Sequence, residues 1–186
     1  CQLSNMEKLT GLNSIIKGCK KGYPGDFNKL VDMYASRCYS YFYRLTGNAA
    51  QSEDLLSELF LRLVRKTGSF KSKNCSFENW LFTLAGNIFR DHLRSKYRMA
   101  KLLDSKAEMD RRNQPRPNSG RQVVDKLQIE LEKLDPETRE LLMMRFYGGF
   151  SFKELAEIRS EPIGTTLSKV HRGLKKLKER MEQNND

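Results

Sequence analysis

Apolar residues along this chain recur three and four positions apart almost everywhere, and no stretch sustains the alternation of a half-buried strand. Phe27, Leu30, Val31, Tyr34, Cys38, Tyr41, Phe42 and Leu45 make one such stripe, and Gly47-Asn48 after it is a helix-terminating signal. Leu55, Leu56, Leu59, Phe60, Leu63 and Val64 make a second. Glu53 and Asp54 stand near its start, where negative charge suits a helix N-terminus, and Gly68 closes it. The polar run 69–76, SFKSKNCS, predicts a loop. Phe77, Trp80, Leu81, Leu84, Ile88 and Leu93 then predict a long third helix ending at about Arg98. Helices joined this closely predict an antiparallel bundle.

From 100 to 121 the periodicity weakens, prolines enter and charges crowd, which is the composition of a linker. It crosses no obvious apolar seam, so the parts on either side are expected to move independently. Beyond it a second helical block begins. Val124, Leu127, Leu131 and Leu134 share a face. Asp135-Pro136-Glu137 is a helix start with N-cap, first-position proline and first-turn acid, and Leu141, Leu142 and Phe146 carry that helix to Gly148-Gly149. Ser151 and Glu154 have capping-box spacing. Pro162 restarts the chain after a short break as a last helix, with Ile163, Val170, Leu174, Leu177 and Met181 spaced for burial. The expected fold is all-α: two small helical domains, 6–99 and 122–184, joined by a flexible linker over 100–121. A helix of about nine residues, a short turn and a second, exposed helix have the geometry of a helix-turn-helix.

Charge gives the second block its interest. The 186 residues hold 34 Lys and Arg against 23 Asp and Glu, a formal net charge of +11. Residues 162–180 hold six basic residues and one acid, and 90–121 hold ten against four. A surplus of this size in a small chain points to a polyanion, nucleic acid or an anionic surface. No apolar run approaches the roughly 20 residues that span a bilayer. The chain starts on a polar stretch without a signal-peptide pattern, and Met6 suits a natural start. Cysteines 1, 19, 38 and 75 never form a C-x-x-C pair, and Cys38 sits in an apolar stripe. His92 and His171 are far apart in sequence. These features predict a cytoplasmic, reduced protein with no metal and no cofactor. The absence of a Ser/His/Asp set, a phosphate-binding glycine loop or paired carboxylates argues against an enzyme.

The stretch LEKLDPETRELLMMRFYGGFSFKELAEI, followed by PIGTTLSKVHRGLKKLKERM, resembles region 4 of bacterial sigma factors. NAAQSEDLLSELFLRLVRKTGSF followed by SFENWLFTLAGNIFRDHLRSKYR resembles their region 2. In this order, with a linker between and nothing more, residues 20–183 resemble the extracytoplasmic-function (ECF) sigma factors of the sigma-70 family. The resemblance implies a protein that binds core RNA polymerase, recognises promoter −10 and −35 elements, and performs no covalent chemistry. It implies docking on the β′ clamp helices through Asp54, Glu58, Leu61, Arg62 and Arg65. It implies reading and melting of the −10 element through Lys71, Lys73, Asn74, Asn87, Arg90, Asp91, Arg94 and Arg98, with Lys96 on the backbone. Trp80 either stacks a base there or packs in the core. It implies −35 recognition through Leu167, Ser168, His171 and Arg172, phosphate contacts by Lys169, Lys175 and Lys176, and backbone donors at Thr165 and Thr166 near the helix start. An anti-sigma factor is the further partner implied.

The chain departs from that pattern in places. Arg159-Ser160-Glu161 stands where the family has leucine, glycine and an apolar residue, so an apolar residue at 161 is expected to stabilise the turn. Leu167 replaces a common basic residue, and Ser57 a common glutamine. Two rival readings stay open. One is a helix-turn-helix regulator that never binds core polymerase. The other is a basic helical module for acidic protein partners.

Overall fold

The computed structural model describes residues 2–71, 76–104 and 126–183. They form eight α-helices: α1 (Gln2–Lys20), α2 (Pro24–Thr46), α3 (Ala49–Lys66), α4 (Phe77–Asp104), α5 (Lys126–Glu132), α6 (Pro136–Phe146), α7 (Phe152–Arg159) and α8 (Ile163–Gln183), with a 3-10 turn at Thr67–Ser69. None is long and apolar enough to cross a membrane. The predicted boundaries are in place where the local chemistry is strong. Gly47 ends α2 at φ 65°, a conformation that costs other residues, and its N–H donates to Tyr43 O. The Asn48 side chain caps α3 by accepting from Gln51 N at 2.9 Å. Asp135 caps α6 through Thr138 N, and Ser151 with Glu154 closes a full capping box on α7.

Two helices differ from the sequence reading. The α1 helix has no strong stripe, but its last turns bury Ile16 and Cys19 under α2. The α4 helix runs to Asp104, past the expected end near Arg98, so 100–104 are helix and not linker. The rest of the expected linker, 105–121, lies outside the described residues. On α3 and α6, two stripe members also face outward. Val64 is 56% exposed on α3, and Phe146 at the end of α6 is exposed. Their stripes are wide, and the flanking positions fall beyond the buried arc.

The two blocks pack against each other. One continuous apolar core joins Leu30, Tyr34, Cys38, Phe42 and Leu45 of α2 and Leu81, Phe82 and Phe89 of α4 to Leu131, Leu141, Met144 and Phe150 of the second block. Cys38 is fully buried, and burial pushes its thiol up to about 12. The seam lies on the inner faces of α2, α4, α5 and α6, not along the linker, which is why linker composition could not reveal it.

Polar groups fix the register of this seam. Arg139 of α6 is nearly buried, yet its guanidinium donates to Leu45 O at 2.5 Å, Glu132 O at 2.8 Å and Leu134 O at 3.0 Å. Leu45 O belongs to the last turn of α2, whose carbonyls lack helical partners and favour a cation. Arg37 of α2 donates to Tyr147 O at 3.0 Å while its guanidinium lies 5.0 Å from the centre of the Phe82 ring. Asn79 of α4 bonds Glu154 of α7.

Arg139→Leu keeps much of the volume but strips three buried carbonyls of their donor. It should lower stability by on the order of 3 kcal/mol, read as the midpoint of urea unfolding. A change under about 0.5 kcal/mol, the range of ordinary surface substitutions, would mean the guanidinium is replaceable by water.

Candidate nucleic-acid and partner interfaces

The break between α7 and α8 is built from charge. Ser160 takes the left-handed conformation at φ 53°, in the place of the glycine that such a turn favours. Arg159, 9% exposed, pairs with Glu137, with Glu140 at 3.7 Å and with Glu161 at 3.7 Å. The Glu161 carboxylate accepts from the Thr166 hydroxyl at 2.9 Å and from Lys169 Nζ at 2.6 Å. Burial alone would raise the Glu161 pKa, but these donors and the Arg159 charge hold it below its ordinary value. The expectation of an apolar residue at 161 is therefore wrong for this chain. Its neighbours supply donors and cations, not an apolar socket.

This network decides which α8 residues reach solvent. Thr165, Leu167, Ser168, His171, Arg172, Lys175 and Lys176 are exposed. Thr166 is not: its side chain is fully buried and spent on Glu161. The backbone N–H groups of Thr165 and Thr166 both donate to Pro162 O, so the expected phosphate grip has no donor there. Lys169 is half-buried between Glu161 and Glu137 (3.6 Å), which sets it apart from the exposed Lys175 and Lys176. Ile163, expected inside, is 53% exposed.

In the first block, α3 presents Asp54, Leu61 and Arg65 to solvent, with Glu58 and Arg62 half-buried beside them. Leu61 is 55% exposed, and the outward Val64 extends its apolar surface. Sequence reasoning missed Val64 because its spacing fits the inner stripe. Arg62 links this face to α4: it bonds Glu58 at 2.6 Å and Asp91 at 3.1 Å, and Asp91 also pairs with Arg94 at 3.4 Å. The Glu58 bond, assisted by Asp91, raises the Arg62 pKa against the opposing effect of burial.

Along α4, Asn87, Asp91, Arg94 and Arg98 follow one another on one exposed face, whereas Lys96, two residues from both Arg94 and Arg98, is exposed on the other side of the helix. Arg90 is turned differently. It donates to Asn87 at 2.6 Å and pairs across the seam with Glu140 at 3.5 Å. Lys71 is exposed where the chain leaves the 3-10 turn, whereas Lys73 and Asn74 lie outside the described residues. Trp80 is half-buried and packs on Phe70 and Phe77 with ring centres 5.4 and 5.7 Å away, which favours its core role. Lys20 of α1 braces the same corner by donating to Phe70 O at 2.5 Å.

Comparison with known proteins matches these two blocks separately. Residues 30–99 match the Sigma-70 region 2 family, and 125–177 match Sigma-70, region 4. The chain is 29% identical to the ECF RNA polymerase sigma factor BldN of Streptomyces coelicolor over 88% of its length, and spans 63% of BldN. It is 30% identical to the RNA polymerase sigma factor CarQ of Myxococcus xanthus, with 86% of this chain and 91% of CarQ covered. Among solved structures, the sigma factor RpoE of Bartonella quintana, in complex with the anti-sigma factor NepR, shares the fold. The TM-score is 0.67 at 23% identity, over 84% of this chain and 97% of that one.

The turn makes two opposite predictions. Ser160→Gly relieves the left-handed conformation and should raise stability by about 1 kcal/mol. Glu161→Gln should lower it by about 1–2 kcal/mol, because bonds to a charged acceptor become neutral. Glu161 titrates below its ordinary 4.5 when folded, so its contribution is full above that value and is lost as pH falls through the folded pKa. The gap between wild type and Glu161→Gln in thermal unfolding should thus be widest at neutral pH and close in acid. A gap that grows on acidification would refute this network.

Proposed function

Because the chain belongs to the ECF sigma factors of the sigma-70 family, we propose that it directs promoter-specific transcription initiation as the sigma subunit of core RNA polymerase. The observation that carries this reading is the α7–α8 helix-turn-helix, with Arg172, Lys175 and Lys176 exposed on its second helix. In a duplex major groove that helix recognises the −35 element: Arg172 pairs two acceptors of a guanine, and the lysines hold phosphates. Residues 122–184 serve as the −35 unit, and residues 6–99 as the unit for polymerase and the −10 element.

On α3, Leu61 and Val64 form the apolar centre of the polymerase-docking face, and Asp54, Glu58, Arg62 and Arg65 form its charged surround. Interfaces concentrate their energy in such desolvated centres, and the rim sets orientation. The natural target is the β′ clamp helices. Beside it, Lys71, Asn87, Asp91, Arg94 and Arg98 face the −10 element, where opening the duplex requires an unstacked base to be held and its backbone neutralised. The same reading gives Lys73 and Asn74 a part in −10 recognition. No step makes or breaks a covalent bond, and the work is done in the cytoplasm. RpoE of Bartonella quintana is held by an anti-sigma factor, and that class of partner extends to this chain. Region 2 coverage of α3 and α4 leaves little ground for a regulator without polymerase or for a scaffold of acidic partners.

Run-off transcription on genomic fragments tests the reading. Defined transcripts should require both this chain and core polymerase; stable core binding without any promoter-specific transcript would overturn it. Leu61→Glu places a charge at the centre of the docking face, on a side chain that is already 55% exposed. It should weaken core binding about thirtyfold or more, the cost of a lost hot spot, with unfolding unchanged. Unaltered affinity would move the docking face elsewhere.

A further inference from the structure

The first two turns of α8 present an unusual surface for a helix facing a polyanion. Ile163 is 53% exposed and Leu167 40% exposed, whereas Val170 on the same helix is buried. The two are four residues apart and share a face. Between them, a Cβ added to Gly164 would meet nothing within 4 Å, so the backbone there is open to close approach. Two polar side chains nearby are withdrawn, although Thr165 and Ser168 stay exposed. Thr166 is buried on Glu161, Lys169 is held by Glu161 and Glu137, and the Thr165 and Thr166 N–H groups are bonded to Pro162 O. The exposed cations Arg172, Lys175 and Lys176 lie further along the helix. An apolar tip thus precedes a basic shaft.

We propose that Ile163 and Leu167 are specificity-determining residues that read the 5-methyl groups of thymines in the −35 element. This rests on the sigma-factor reading given above and deepens it. The residues at the start of a recognition helix are those that meet base edges. In the major groove the thymine methyl is the one apolar group on those edges, and it is matched by an apolar side chain. The basic shaft fixes the occupant as DNA, because its charge complements phosphates alongside the tip. An adenine–thymine pair therefore faces each of the two side chains, and guanine–cytosine pairs are disfavoured there for want of a methyl.

The test removes only the methyl. Duplexes randomised over the −35 element are selected with the reconstituted holoenzyme. Each thymine of the winning sequence is then replaced, one at a time, by deoxyuridine. At one or two positions affinity should fall about fourfold, the effect of one buried methyl group. Ile163→Ala and Leu167→Ala should each abolish the loss at its own position, while Leu167→Met, still apolar, should preserve it. Arg172→Ala should weaken binding yet leave the methyl effect intact. Deoxyuridine tolerated at every position by wild type would overturn the proposal and leave the apolar tip to a protein partner. An equal loss in wild type and both alanine variants would overturn it as well. If an alanine variant fails to fold, the wild-type scan and Leu167→Met still decide. Failure of the sigma-factor reading looks different: no template of any sequence would be transcribed with core polymerase.

Discussion

The Glu140 carboxylate, 2% exposed where α6 meets α4, is the group around which the second block is set. Burial pushes its pKa up, and Arg90 and Arg159 oppose that shift. An ionised carboxylate out of water costs several kcal/mol unless cations stand close. Its two cations come from opposite sides, Arg90 from the long helix of the first block and Arg159 from the end of α7. Gly86 makes the approach possible, since a Cβ there would stand 2.9 Å from the carboxylate oxygen. The placement of the helix-turn-helix relative to α4 thus follows from the needs of one charge. If the blocks separate, Glu140 regains water as it loses Arg90, so opening costs less than the buried geometry alone implies.

The unusual turn follows from the same constraint. Arg159 offsets part of the Glu140 charge from 3.7 Å, and once Arg159 is there an apolar residue at 161 would leave its guanidinium less neutralised. Glu161 instead completes its neutralisation and ties down Thr166 and Lys169. Ser160 bears the left-handed backbone that glycine would adopt more cheaply. Arg159 and Glu161 are thus one coupled departure from the family pattern, and changing either alone should behave worse than changing both.

Much of the fold was legible because its signals are local. The caps at Asp135 and Ser151 and the stop at Gly47 act within four residues, and the structure places them where their chemistry does. The seam between blocks was not legible, because Arg139 bonds carbonyls of Leu45 and Leu134 that no side-chain pattern announces. In the candidate sites, exposure of Leu61, Arg172 and Lys176 agrees with their spacing. Thr166, Lys169 and Arg90 look equally available in sequence, yet each is engaged by an acid from across a turn or across the seam. Spacing gives the face of a helix but not the partner opposite it.

That internal pairing changes how the surplus charge acts. Arg90, Arg159 and Lys169 are matched by Glu137, Glu140 and Glu161, a set with no net charge. The formal +11 therefore resides wholly on residues outside it. On α8 the ion pairs of Lys175 with Glu179 at 3.8 Å and Lys178 with Glu182 at 3.7 Å are solvent-exposed and contribute little. They restrain the lysines weakly, and a phosphate can take the place of either glutamate at small cost. The network spends its cations where water is excluded and the geometry is fixed. The shaft keeps its own where they are screened over about 8 Å at physiological salt and can be recruited one phosphate at a time. Rigidity of the turn and attraction for a polyanion are thereby drawn from different residues, so α8 can be held firmly without losing its positive field.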